Sequence, residues 1–149
     1  MSVGIEVGKF WYEVGRGDYF ESFFSTVCFY LEDKKWGSKY PVLMKKLYLG
    51  PIGFKEARTA LVELLDVKEK FSCLKKDEHL IIWDVRDMSK KVPKWAMNPN
   101  EKVQNLSNYF VTNDGCDLIA RIIDALTEAI ESKNKVVIKR LDDASTMYF

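Results

Sequence analysis

Apolar and polar residues alternate through SVGIEVG, which puts Val3, Ile5 and Val7 on one face of a strand. The alternation resumes with the other parity in FWYEVG, where Phe10, Tyr12 and Val14 share a face. The switch falls near Gly8, so a tight hairpin or a bulge is expected there. The period then changes. Phe20, Phe23, Phe24, Val27, Cys28 and Leu31 recur at three- and four-residue spacing and predict a long helix. Asp18 and Glu21 form an acidic version of a capping box at its start, and Gly37 is expected to end it. Pro41 suits the first turn of a short helix carrying Val42, Leu43, Leu47 and Tyr48, which Gly50, Pro51 and Gly53 break. Ala57, Ala60, Leu61, Leu64, Leu65 and Phe71 predict a second long helix.

The remaining half reads as follows. HLIIWDV, apolar and β-branched, predicts a buried strand, and NYFVT a short one. Between them, residues 86–104 form a long polar loop with two prolines. Leu118 to Ile130 predicts a third long helix and KVVIKRL a last strand. Strands at the start, middle and end with helices between them imply an α+β fold. The expectation is a single domain over residues 1–141, with a mixed sheet of about four to five strands and three long helices packed mainly on one face. DDASTMYF, residues 142–149, lacks a pattern and is expected to fray.

Composition narrows the class. The 149 residues are 47% hydrophobic and 30% charged, which suits one globular domain and excludes global disorder. No apolar run approaches the roughly 18 residues of a membrane helix. The first residues lack a basic region followed by an apolar run, so no secretory signal is expected. Cys28, Cys73 and Cys116 are odd in number, far apart and form no CxxC, which argues for a reducing compartment and a cytoplasmic protein. Net charge is +1, without a polyanion-binding signature, but it is uneven. Residues 1–33 carry a net −4, and residues 34–58, with Lys34, Lys35, Lys39, Lys45, Lys46, Lys55 and Arg58 against Glu56, a net +6. That contrast reads either as a steering field for a partner or as an ordinary solvated face.

Candidate chemistry concentrates in NYFVTNDGCDL. A nucleophilic Cys116 needs a base, and the one histidine, His79, lies far away in sequence. The simpler reading is a tight turn at Asn113–Gly115, with Asp114 or Asn113 capping the helix that follows, Asp117 favoured by its dipole and Cys116 in its first turn. Asp114 with Asp117, and Asp84 with Asp87, are carboxylate pairs for a hard cation, but neither spacing is specific, and no zinc-ligand spacing is present. No phosphate-binding glycine loop and no G-x-S-x-G occurs. Neither a catalytic residue nor a cofactor is therefore assigned. Trp11 and Trp83 fall in predicted strands and are expected in the core, whereas Trp36 and Trp95 lie in lysine-rich loops. Such tryptophans stack on bases, anchor protein interfaces, or fold back over the core. With Lys90, Lys91 and Lys94 near Trp95, a small nucleic-acid-binding domain is the alternative function.

Four blocks, taken together, resemble the immunity protein 70 family of bacterial polymorphic toxin systems: SVGIEVGKFWYEVGRGDYFESFFST (Ser2–Thr26), GSKYPVLMKKLY (Gly37–Tyr48), IIWDVRDMSKKVPKW (Ile81–Trp95) and LSNYFVTNDGCDL (Leu106–Leu118). The segment Gly50–Glu78 carries none of the resemblance. The resemblance implies a non-enzymatic cytoplasmic immunity protein. It would be encoded beside a toxin of LXG or contact-dependent type, often a nuclease, and would neutralise it by occluding its active site or substrate groove. No contact residues come with the resemblance. The candidate partner-binding residues are Trp36, Lys39, Tyr40, Trp95, Asp114 and Asp117. For a basic toxin groove the acid-rich helix Asp18–Asp33, or Asp114, Asp117 and Asp124, would mimic phosphates; for an acidic toxin face the lysine-rich 34–58 region would make the contact.

Overall fold

A computed structural model describes residues 2–141. Strands β1 (Ser2–Val7), β2 (Phe10–Arg16) and β3 (Val136–Leu141) form a sheet of order β2-β1-β3, antiparallel throughout. The sheet thus has three strands where four to five were expected, and it is not mixed. Helices α1 (Gly17–Leu31), α2 (Phe54–Phe71) and α3 (Leu118–Ser132) match the three predicted long helices. A short π-helical stretch, Val42–Leu47, follows Pro41. The α+β class holds; the 142–149 tail lies outside the described residues.

The first hairpin turns at Gly8, whose φ of +56° is open to glycine at little cost. Pairing of Ile5 with both Tyr12 and Ile138, and of Val7 with Val136, sets the core face of the sheet. The bulge lies elsewhere, where the β1–β2 register shifts between Val3 and Gly4 and Val14 turns into the core. Helix α3 crosses all three strands, α1 lies against β1 and β2, and α2 packs on α3. Phe23 sits at the centre of the core, with ring centroids 5.5 Å from Phe24, 5.4 Å from Phe110 and 6.3 Å from Phe71. Trp11, expected inside, lies on the opposite face and is 39% exposed. Its indole covers Gly4 so closely that a Cβ there would fall 2.2 Å from Trp11 Cζ2.

HLIIWDV forms no strand because its backbone bonds to side chains of α1. Thr26 Oγ1 accepts from the Ile82 amide (3.0 Å), Ser22 Oγ donates to the Ile82 carbonyl (2.8 Å), and Ser25 Oγ accepts from the Val85 amide (3.1 Å). Ser22, Ser25 and Thr26 are buried for this reason. NYFVT is likewise no strand. A 3-10 turn (Leu106–Asn108) leads to one isolated bridge between Val111 and Asp117, and the Asn113 amide donates to the Val14 carbonyl.

Helix α1 ends at Leu31, six residues before Gly37. Asp33 and Lys34 adopt positive φ (51° and 64°), and the amides of Glu32 and Lys34 both donate to the Cys28 carbonyl. Glu32 then turns inward. Its carboxylate, 3% exposed, accepts from the amides of Gly37 (3.0 Å), Lys39 (3.0 Å) and Tyr40 (2.9 Å), tying the 33–40 loop into a fixed shape. The expected capping box does not form. Arg16 is the N-cap residue of α1 and its side chain caps no helix amide; it donates to the Asp18 carboxylate instead.

Candidate functional site

Two stacks of an arginine on a tryptophan stand out on the surface formed by α1, the 83–98 segment and the 33–48 segment. The first joins the end of β2 to the 3-10 turn Lys94–Ala96. The Arg16 guanidinium lies 4.4 Å from the centre of the Trp95 ring, and its Nε and Nη2 bond to the two oxygens of Asp18 (3.1 and 2.8 Å). Trp95 also meets Tyr19 (6.1 Å) and the edge of Trp83 (5.7 Å). Beside it opens a cleft of about 430 Å³ lined by Val14, Arg16, Tyr19, Trp95, Met97 and Val111. Its walls are pinned: Asn98 Nδ2 donates to the Tyr109 carbonyl (2.9 Å), Tyr109 Oη accepts from the Asn98 amide (3.0 Å), and Tyr19 Oη accepts from the Val111 amide (3.2 Å). Burial pushes the Tyr19 phenol up to about 12, so it stays neutral. Apolar surface is left uncovered here, with Trp95 52%, Met97 44% and Val111 40% exposed.

The second stack joins the 33–48 segment to the loop after Trp83. Trp36 packs at 5.0 Å from Tyr48 and 6.4 Å from Phe24, and its indole N–H donates to the Met44 carbonyl (2.6 Å). The Arg86 guanidinium lies 4.5 Å over the Trp36 ring, beside the Tyr48 hydroxyl. Between the stacks runs a polar cleft of about 240 Å³ lined by Asp18, Glu21, Ser25, Trp83, Asp84, Arg86 and Lys90. Its carboxylates are engaged. Glu21 accepts from Tyr48 Oη and Arg140 (3.1 Å to the latter), and Lys90 reaches Asp84 (3.0 Å). Burial pulls the Asp84 carboxyl up, but Lys90 and the Arg86 amide more than offset it and hold it below the usual range.

The sequence candidates fall into different settings. Trp95 is the exposed anchor just described, and Trp36 is half-buried, folded back as a platform. Tyr40 is buried with its hydroxyl on Asp66 (2.6 Å), and burial with the nearby Asp66 raises its phenol pKa. Lys39 is exposed beside Lys70 and Asp66. Asp114 is exposed but bonded by Thr112 and by Arg121 (3.2 Å). Asp117 is itself the N-cap of α3, its Oδ2 accepting from the Ala120 amide (2.9 Å), which corrects the expected cap at Asp114 or Asn113. Burial raises its carboxyl, and its Oδ1 is buried with no partner among the described residues. Cys116 precedes the cap, outside the helix, and pairs through its backbone with Thr112. His79 packs on Tyr30 at 5.4 Å and engages the Lys75 carbonyl, while the polar neighbour of Cys116 is Arg121. The NDGCD stretch is thus a turn followed by a cap. Trp83, expected in the core, is half-buried and lines the polar cleft.

Arg16, Tyr19, Met97 and Arg86 are residues the sequence did not single out. Arg86 read as part of a loop, and nothing in the spacing around either arginine signals the tryptophan that lies beneath it. The acidic surplus of residues 1–33 is largely engaged within the fold, since Glu32 is buried and Glu6, Asp18 and Glu21 are paired. The lysines are less engaged: Lys34, Lys35, Lys39 and Lys45 are exposed, and Lys46 pairs with Glu56. Among the described residues no group of three or more His, Cys, Asp and Glu side chains is arranged to hold a metal, and no helix is long and apolar enough to cross a membrane. The family model described as Immunity protein 70 matches residues 5–138. No curated protein and no solved structure matches the chain.

Proposed function

The chain belongs to the immunity protein 70 family, and on that premise we propose that it binds one cognate bacterial toxin and neutralises it by covering its active site or substrate groove, with no chemistry of its own. The observation that carries this reading is the cleft beside Trp95, a pinned, preformed hollow bordered by exposed Trp95, Met97 and Val111. A rigid aromatic at the rim of a fixed apolar cleft is what an interface hot spot requires, because burying it orders few additional groups. The exposed free thiols of Cys73 and Cys116 agree with action in the cytoplasm. A nuclease is the toxin class to test first. The carboxylates that would imitate phosphates are engaged within the fold, so the surface supports occlusion by contact over phosphate mimicry.

Co-expression with the toxin domain encoded beside this chain's gene tests the reading. The wild-type chain should protect growth and co-purify with the toxin domain, and Trp95→Asp combined with Met97→Asp should abolish both while the variant remains folded. Absence of protection by the wild type, or full protection by the double variant, overturns it. The nucleic-acid alternative predicts instead salt-sensitive retention of the wild type on labelled RNA.

A further inference from the structure

The two stacks differ in one respect that bears on the partner. Among the described residues, Arg16 is paired with Asp18, Arg121 with Asp114 and Arg140 with Glu21. Arg86 has no carboxylate within 4.0 Å of its guanidinium among the described residues, with Glu21 and Asp84 flanking it only at longer range, yet it is the arginine held over Trp36 (4.5 Å) and Tyr48 (6.0 Å). Its position is fixed from the backbone as well. The Arg86 amide donates to Asp84 Oδ1 (2.9 Å), Asp84 Oδ2 is taken by Lys90, and the preceding amide of Val85 is bonded to Ser25. Asp84 is therefore occupied on both oxygens by other groups. The platform beneath is also fixed, by the Trp36–Met44 bond and by the Glu32 clamp on the loop.

We propose that Arg86 is the anchor that receives a single carboxylate of the toxin, which enters the polar cleft between the stacks and bonds the guanidinium in the two-pronged geometry that Asp18 already provides for Arg16. This inference rests on the reading of the partner as a toxin protein. The chemistry is that of a planar fork. Stacking holds the guanidinium face, and the N–H groups not turned to the Tyr48 hydroxyl are left for a planar acceptor. When the partner covers the cleft, water leaves and the pair strengthens. A carboxylate side chain fits better than a nucleic-acid backbone. The cleft already holds Asp18, Glu21 and Asp84, and a strand bringing successive phosphates would meet these three carboxylates around one open cation.

The test is calorimetric titration of the full chain with a catalytically inactivated form of the toxin domain encoded beside its gene. Arg86→Gln should weaken binding by about 30-fold or more, and Arg86→Lys should recover only part of that loss, because the charge returns without the fork. Thermal unfolding should be unshifted in both. Arg86→Glu should abolish binding, and one Asp or Glu of the toxin changed to Arg should restore it. If the wild type binds and Arg86→Gln binds equally, the anchor is wrong while the family-based reading stands. If the wild type does not bind the toxin domain, both fall. If Arg86→Gln loses retention on labelled RNA at low salt and keeps toxin binding, the site is a phosphate site and the proposal is overturned.

Discussion

Trp95 and Trp36 each carry an arginine on one face, but they are built in opposite senses. Around Trp95 the ion pair is complete and the apolar surface is left open: Arg16 has Asp18, while Trp95 and Met97 reach solvent. Around Trp36 the apolar surface is closed and the ion pair is incomplete: the indole is bonded to Met44 and packed on Tyr48, while Arg86 is without a carboxylate among the described residues. The difference teaches that the same residue pair serves two kinds of recognition. One stack offers area, the other a directed charge, and a partner spanning both would be fixed in position and in orientation.

That contrast can be broken at its base. Glu32→Ala removes the acceptor of three buried or part-buried amides, and charge-assisted bonds of this kind are worth enough that a loss of about 4 kcal/mol is expected, read as a lower urea midpoint. The Trp36 platform should loosen with it, so the Arg86 stack would be lost while the Trp95 stack survives. Trp36→Ala itself should cost about 3 kcal/mol in the same assay, because a half-buried indole and its hydrogen bond disappear. Trp95→Ala should do the reverse, costing under about 1 kcal/mol of stability but about 2 kcal/mol of toxin-binding energy by titration. Equal losses of stability in the two alanine variants would show that the stacks are alike after all.

Smaller effects sharpen the picture. Asp117→Ala should cost roughly 1 kcal/mol through loss of the α3 cap, whereas Asn keeps a cap oxygen and should not. Burial raises the folded-state pKa of Asp117 above its unfolded value, so its protonated form favours the fold. That contribution is full below about pH 4 and is lost as pH rises through the folded value. Wild type should therefore lose stability relative to Asp117→Asn as pH rises toward neutrality, measured by urea unfolding at each pH. Least of all, Asp18→Asn should leave stability unchanged at this exposed pair yet free the Arg16 fork, and binding should shift only if the toxin places a carboxylate near Trp95.

Periodicity alone determined the three long helices, the first hairpin and the last strand, because each presents a regular apolar face whose spacing is local. Phe20, Phe23, Phe24 and Val27 must share one side of a helix wherever that helix is placed. The family is also written in the chain, through blocks that fall almost wholly within residues 5–138 of the Immunity protein 70 match. Tertiary structure decided what composition leaves open. HLIIWDV has the residues of a strand, but Ser22, Ser25 and Thr26 of α1 supply its hydrogen bonds, and no neighbouring strand is needed. Trp11 and Trp83 look like core residues until the sheet shows one on its outer face and the other at a cleft. The two stacks were invisible for the same reason. Arg16 and Trp95 are far apart in sequence, as are Trp36 and Arg86, and no periodic pattern can signal a contact between two distant segments that only folding brings together.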